Sequence, residues 1–160
     1  MSHSSDNAAP LQVRQVLLDL LSRRDHSKRE LTQKLVQRGG EVSQIAQEIA
    51  WAEQQGYLCE TRFAQMLLRT VLQKGYGLAY YRQLCQQHQL DHTLWQQSLA
   101  EQEPDWFDTA LQVYQKKYGR ATSAAVTELD FKERQKRMAF LQRRGFSSEQ
   151  IRYVMQHSED

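Results

Sequence analysis

The chain is poor in residues that break helices and in residues that staple or anchor a fold. Only two prolines and seven glycines occur in 160 residues. With so few breakers, and with Leu, Gln, Arg, Glu and Ala plentiful, helices are expected almost throughout. The two cysteines, Cys59 and Cys85, form no CxxC pair and no ladder of spacings. That argues against a disulfide scaffold or a cysteine-rich zinc site, and a reduced, cytoplasmic setting is the simplest expectation. No stretch approaches the roughly 20 apolar residues that a membrane helix needs. Met1 to Pro10 is polar and lacks the apolar core of a secretory signal, so it reads as a short disordered tail. No segment alternates with period two for long enough to demand a strand. The net charge is only +2, so bulk electrostatics do not force a nucleic-acid partner.

What is present is a set of apolar stripes at helical spacing. Val13, Val16, Leu17, Leu20 and Leu21 share one face of a first helix. Ser27 precedes Glu30 by three residues, a capping box that opens a second helix through Leu31 and Leu35. Gly39-Gly40 stops it. A third stripe holds Val42, Ile45, Ala46 and Ile49 and ends near Gln55-Gly56. The pattern then restarts with Phe63, Ala64, Leu67, Leu68 and Val71. After Lys74-Gly75-Tyr76-Gly77 comes a helix with Leu78, Tyr81, Leu84 and Cys85. Asp91 is the expected N-cap of the next, which carries Leu94 and Trp95. A last round holds Trp106, Phe107, Ala110, Leu111 and Tyr114, then a polar link from Gly119 to Thr127. A strongly basic helix follows with Phe131, Met138 and Leu141. Gly145 ends it, Ser147 and Gln150 form a second capping box, and Ile151, Val154 and Met155 line the final helix.

These stripes give an all-α chain of about nine helices in three groups of three. Leu35, Gly39 and Ile45 recur at the same spacing as Leu141, Gly145 and Ile151, and Cys85 and Trp95 keep it in the middle group. A shared spacing with shared caps points to tandem three-helix repeats, since each short unit needs a neighbour to bury its stripe. The expected divisions are a tail at 1–10 and repeats at 11–58, 59–102 and 103–158.

Charge is segregated along the chain. Glu101 to Asp108 carries four acids and no base, and residues 111–144 carry nine Lys or Arg against three acids. Arg23, Arg24, Lys28 and Arg29 surround the first cap. Lys132, Arg134, Lys136, Arg137, Arg143 and Arg144 dress the basic helix. Such clusters fit an anionic partner, and they equally fit solvated helix faces. Glu128, Asp130 and Glu133 precede Lys132, Arg134 and Arg137 by four residues, so local pairs account for part of the charge. Lys74, Tyr76, Tyr80 and Arg82 flank a Gly-Tyr-Gly turn. This is either a contact surface with a stacking ring or an interhelical turn with a packed tyrosine.

Chemistry-bearing constellations fall away. Asp91, as a cap, puts a helix break between His88 and His92, which argues against a metal pair. Asp25-His26-Ser27 is adjacent in sequence, a poor arrangement for a relay, and Ser27 has a better use as a cap. Gly75-Tyr76-Gly77 lacks the Gly-Lys-Ser/Thr of a phosphate loop. Cys59 and Cys85 read as small apolar fillers. Trp51, Trp95, Trp106, Phe63 and Phe107 read as core residues. No catalytic residue, metal or cofactor is expected.

The motifs together resemble one family. Arg24-Asp25-His26-Ser27 with Glu30-Leu31 and Lys34-Leu35 resembles the opening R-x-x-S-x-x-E-L-x-x-K-L of RecX proteins. Gly56-Tyr57-Leu58-Cys59-Glu60, with Arg62-Phe63-Ala64, resembles their most distinctive stretch. Lys74-Gly75-Tyr76-Gly77 with Arg82-Gln83, Lys117-Tyr118-Gly119, and Phe140-Leu141 with Arg144-Gly145-Phe146 resemble later segments. Two positions depart: Glu60 stands for a common Asp, and Gln89 for a usual Gly, which makes a left-handed helix end costlier there. The resemblance implies a curved, elongated array of three three-helix repeats. It implies a cytoplasmic, monomeric, non-enzymatic regulator that lies in the groove of the RecA filament on single-stranded DNA. Such a protein limits filament growth, ATPase, strand exchange and coprotease activity, and so bears on recombination, DNA repair and the SOS response. The alternative is a helical protein that binds DNA directly and affects recombination through it.

Overall fold

The computed structural model describes residues 12–119 and 129–157. The tail at 1–10 and residues 120–127 of the polar link lie outside them. Among the described residues there are nine helices and no strand: α1 Val13–Arg23, α2 Lys28–Gln37, α3 Val42–Gln54, α4 Glu60–Lys74, α5 Leu78–Gln87, α6 His92–Gln102, α7 Trp106–Tyr118, α8 Phe131–Arg143 and α9 Ser148–His157. They fall in chain order into three tandem triads. Three of them, α2, α5 and α9, have ten residues. That is below the roughly 12–15 at which an isolated helix becomes even marginal in water, so packing must hold them.

The repeat is visible atom by atom where the second helix of each triad ends. Four residues after Leu35, Cys85 and Leu141, the backbone turns left-handed at Gly39 (φ +89°), Gln89 (φ +52°) and Gly145 (φ +94°). One residue further, Gly40 N–H donates to the Leu35 carbonyl (3.0 Å), Leu90 N–H to Cys85 (3.0 Å) and Phe146 N–H to Leu141 (3.2 Å). These are the six-to-one bonds of a Schellman motif. The third helix then returns Ile45, Trp95 and Ile151, all buried, at equivalent positions.

The chain divides into two compact units, Met1–Phe63 and Ala64–Asp160. The core of the first is Val13, Leu17 and Leu20 of α1, Leu31 and Leu35 of α2, and Ile45, Ile49 and Ala52 of α3, with Leu58 after it. Each such leucine stabilises the fold by about 1.5–3 kcal/mol through apolar burial. The α3 stripe differs from expectation. Val42 is 66% exposed and Ala46 is exposed, because the face turned inward is Ile45–Ile49–Ala52.

In the second unit, Leu67, Leu68 and Val71 of α4 are buried, as are Tyr81 and Cys85 of α5. The Tyr81 hydroxyl donates to the Ala64 carbonyl (3.2 Å) and its ring meets Trp95 edge-on at 6.4 Å. Burial pushes the Cys85 thiol up to about 11, as befits an inert filler. Ala110 and Tyr114 of α7, Phe140 and Leu141 of α8, Phe146, and Ile151, Val154 and Met155 of α9 form another core. Phe131 departs from its expected place in the stripe. It is 77% exposed, since it starts α8 about two turns before Met138, where the helix reaches the core. Phe107 is also exposed, with its ring edge-on to Tyr153 at 5.4 Å.

Candidate partner-binding surface

The basic residues around the first cap are mostly engaged. Ser27 caps α2 by accepting from Glu30 N–H at 3.1 Å. Behind it, His26 is buried, its Nδ1 3.0 Å from the Arg24 carbonyl and its Nε2 3.1 Å from Lys34 Nζ. An ammonium only donates, so Nε2 must accept, the proton sits on Nδ1 and the ring is neutral. Burial, followed by the charges of Arg24 and Lys34, pushes His26 below its ordinary value. Burial alone would raise the Glu30 carboxyl, but its bonds to Arg24 and Lys34 (3.1 Å) outweigh that and hold it low. Lys28 pairs with Glu53 at 2.7 Å, which raises its ammonium, and its backbone N–H donates to Glu60. Arg23 pairs with Asp19 at 3.2 Å. Asp25 pairs with Arg62 at 3.3 Å, and Arg62 also donates to the Gly56 carbonyl at 2.8 Å. Asp25, His26 and Ser27 thus have separate structural uses. Of this cluster only Arg29 is exposed with no side-chain partner among the described residues.

The Gly-Tyr-Gly turn is bound to the end of α8. Gly77 N–H donates to the Arg144 carbonyl (2.7 Å) and Ala79 N–H to the Gly145 carbonyl (3.2 Å). A Cβ on Gly77 would collide with that Gly145 carbonyl. Arg144 completes the joint. Its guanidinium donates to the Lys74 carbonyl (2.9 Å) and lies over the rings of Tyr76 (4.6 Å) and Phe140 (5.3 Å). Tyr76 is stacked on Tyr80 at 4.1 Å, so its ring is already engaged. The Lys74 and Arg82 side chains are exposed and unpartnered among the described residues.

Of the six cations expected on the basic helix, Arg144 follows its end and the five on α8 separate by role. Arg137 donates to the Tyr114 hydroxyl (2.8 Å) and to Glu133 (3.1 Å), and stacks over Tyr118 at 4.3 Å. Of the three expected acid–base pairs, Glu133–Arg137 forms. Asp130 instead caps α8 by accepting from Glu133 N–H at 2.7 Å, and Glu128 lies outside the described residues. Lys132, Lys136 and Arg143 are exposed and make no ion pair among the described residues.

Arg134 faces a groove between α8 and α9 of about 360 Å³. Met138 and Ala139 of α8 and Ile151 and Met155 of α9 line it, and Arg152 stands with Arg134 on its rim. The sequence reading missed Arg152, which is the one Lys or Arg of α9 and belongs to no basic cluster in the sequence. Only its placement one residue after Ile151, beside the equivalent face of α8, gives it a role. Among the described residues no group of His, Cys, Asp and Glu is arranged to hold a metal. His92 stacks edge-on to Trp95 at 4.6 Å.

Nine helices in tandem triads among the described residues, with cations on the surface, define a helical-repeat protein. The chain belongs to the RecX family of regulatory proteins. Residues 14–50 match the family model for the first three-helix domain of RecX, and residues 103–155 match that for the third. The chain is 39% identical over 146 residues to Regulatory protein RecX of Vibrio cholerae serotype O1, covering 91% of this chain and 93% of that one. It is 33% identical over 153 residues to the Vibrio parahaemolyticus protein of the same name, covering 96% of each. Its fold is similar to a crystal structure of RecX from Lactobacillus salivarius, with a TM-score of 0.72 at 16% identity over 92% of this chain and 94% of that one. Another crystal structure, of regulatory protein RecX, also superposes with a TM-score of 0.72, at 17% identity over 91% of this chain and 70% of that one. No helix among the described residues is long and apolar enough to cross a membrane.

Proposed function

We propose that this chain is a regulator, mainly an inhibitor, of the RecA recombinase. It acts in the cytoplasm as a monomer, without a cofactor or catalysis of its own. In this reading it binds the RecA filament on single-stranded DNA and limits filament growth, and with it ATPase, strand exchange and coprotease activity. The observation that carries the proposal is identity of 33–39% to RecX regulators over more than nine-tenths of the chain. The mechanism is differential binding: the inhibitor favours the filament state that does not elongate. The same reading sets the repeat bounds at 11–58, 59–102 and 103–158.

Among the expected contact residues, Arg29 of the first unit and Lys74, Arg82, Lys132, Lys136 and Arg143 of the second are exposed with no side-chain partner among the described residues, and each is a proposed contact. Arg23, Arg24, Lys28, Tyr76, Arg137 and Arg144 also have intramolecular partners. Arg134 belongs with the groove. The exposed cations of α8 favour a second reading, in which the chain binds DNA directly through phosphate contacts.

The test adds the protein to preformed RecA filaments and follows single-strand-dependent ATP hydrolysis, with binding to a bare oligonucleotide measured over a salt series. Substoichiometric inhibition, with oligonucleotide binding that is weak and abolished by salt, supports the regulator. Inhibition that merely tracks DNA occupancy sinks it in favour of the second reading.

A further inference from the structure

We propose that the α8–α9 groove is a docking site for an acidic segment of a partner protein carrying an apolar anchor residue. The groove combines an apolar floor with two arginines. Its apolar floor residues are Met138, Ala139, Ile151 and Met155, and the neutral polar Gln135, Gln142 and Ser148 also line it. Its rim carries Arg134 and Arg152, neither with an acidic partner among the described residues, and no acidic side chain lines it. A volume of about 360 Å³ lies within the range of sites that take a compact ligand group. Two of the four floor residues are methionines, whose unbranched, polarizable side chains adapt to an inserted side chain.

Charge complementarity selects the occupant. A purely apolar segment leaves both guanidinium groups unused, and a basic one is repelled. An acidic segment with a leucine or phenylalanine among its carboxylates satisfies floor and rim together, and arginine can meet a carboxylate with two parallel bonds. The floor also argues against nucleic acid. Single strands are held by aromatic rings on which bases stack, and no aromatic side chain lines this groove.

The experiment uses the full chain and four labelled probes in fluorescence anisotropy. One is a fluorescein-labelled peptide of Asp and Glu around a Leu-Phe pair. The second replaces its acids by lysine, the third replaces Leu-Phe by Ser-Ser, and the fourth is a labelled oligothymidine. The acidic peptide is expected to bind, and the lysine and serine versions to lose binding. Reversal of the rim in R134E/R152E should weaken the acidic peptide about tenfold or more, as loss of complementary rim charge does. Circular dichroism and melting of the variant should match the parent, because both arginines stand outside the core. The proposal is overturned if the acidic peptide fails to bind, or if its binding survives the double reversal. It is equally overturned if the serine version binds as well, or if the oligonucleotide alone depends on the rim. Self-association of the chain that disappears in R134E/R152E would make the occupant a second copy, which also sinks it. No recombinase enters the assay, so its failure leaves the regulatory reading standing, and the converse holds.

Discussion

A glutamine held in the left-handed region is costly, because its Cβ crowds the backbone that glycine would leave open. Gln89 stands there at φ +52°, where the equivalent helix ends use Gly39 and Gly145. The bonds around it are intact, with Gln89 N–H on the Gln86 carbonyl and Leu90 N–H on the Cys85 carbonyl, both at 3.0 Å. The strain is therefore borne by the residue itself. Gln89→Gly should raise stability by about 0.5–1 kcal/mol, the strain released less the extra freedom of the unfolded chain. Urea denaturation checks this, and a midpoint that falls would show that the glutamine side chain contributes more than its backbone costs. His26 gives a pH signature at the same scale. Folding lowers its pKa below the ordinary 6.5, so just below that value the unfolded chain binds more protons than the folded one. Its contribution is fully present above pH 6.5 and is lost as pH falls through the folded value. Melting temperature measured from neutral pH downward should drop across that window, and His26→Gln should flatten the dependence. A parallel drop in parent and variant would assign it to other groups.

At the scale of helices, the ends were legible in the sequence because their signals are local. Ser27, Asp91 and Ser147 each cap as the spacing implies, and Ser147 and Gln150 exchange both bonds of the capping box, at 2.8 and 3.2 Å. The spacing of Leu35, Cys85 and Leu141 likewise gave the repeat. The faces were read less well. Val42 and Phe131 sit at helix starts, where one apolar residue satisfies a periodic pattern before the helix has reached its neighbour. Arg144 was out of reach for another reason: its partners, the carbonyls of Lys74 and Gly75, lie about 70 positions away in sequence, at separations of 70 and 69. No local rule separates it from Arg143, yet the two should behave oppositely. Arg144→Ala removes a charge-assisted bond to a backbone carbonyl and a cation held over Tyr76 and Phe140. It should cost about 1–3 kcal/mol. Arg143→Ala, on an exposed and unpaired side chain, should stay within about 0.5 kcal/mol. Equal losses in urea denaturation would refute the division of these arginines into strut and surface.

For the whole molecule, the question is whether its exposed cations serve one partner or two. A protein partner and a nucleic acid draw on the same charges but leave different traces. Phosphate contacts release counterions, so each adds about 0.7 to the slope of log affinity against log salt on a single strand. Lys132, Lys136 and Arg143 lie on α8, and Lys74 and Arg82 flank the α4–α5 turn. If α8 carries the DNA affinity, K132E/K136E/R143E should flatten the oligonucleotide salt dependence by about two units of slope, three contacts at about 0.7 each. It should leave melting unchanged. If the turn meets the recombinase, K74E/R82E should weaken inhibition of filament ATPase while the salt slope stays as in the parent. A charge reversal is a large perturbation of binding and a small one of folding only where the side chain is unpaired, which is why these five positions are chosen over Arg24, Lys28 or Arg137. Loss of both readouts in both variants would mean that protein and DNA are held by one continuous surface, and would sink the separation into two.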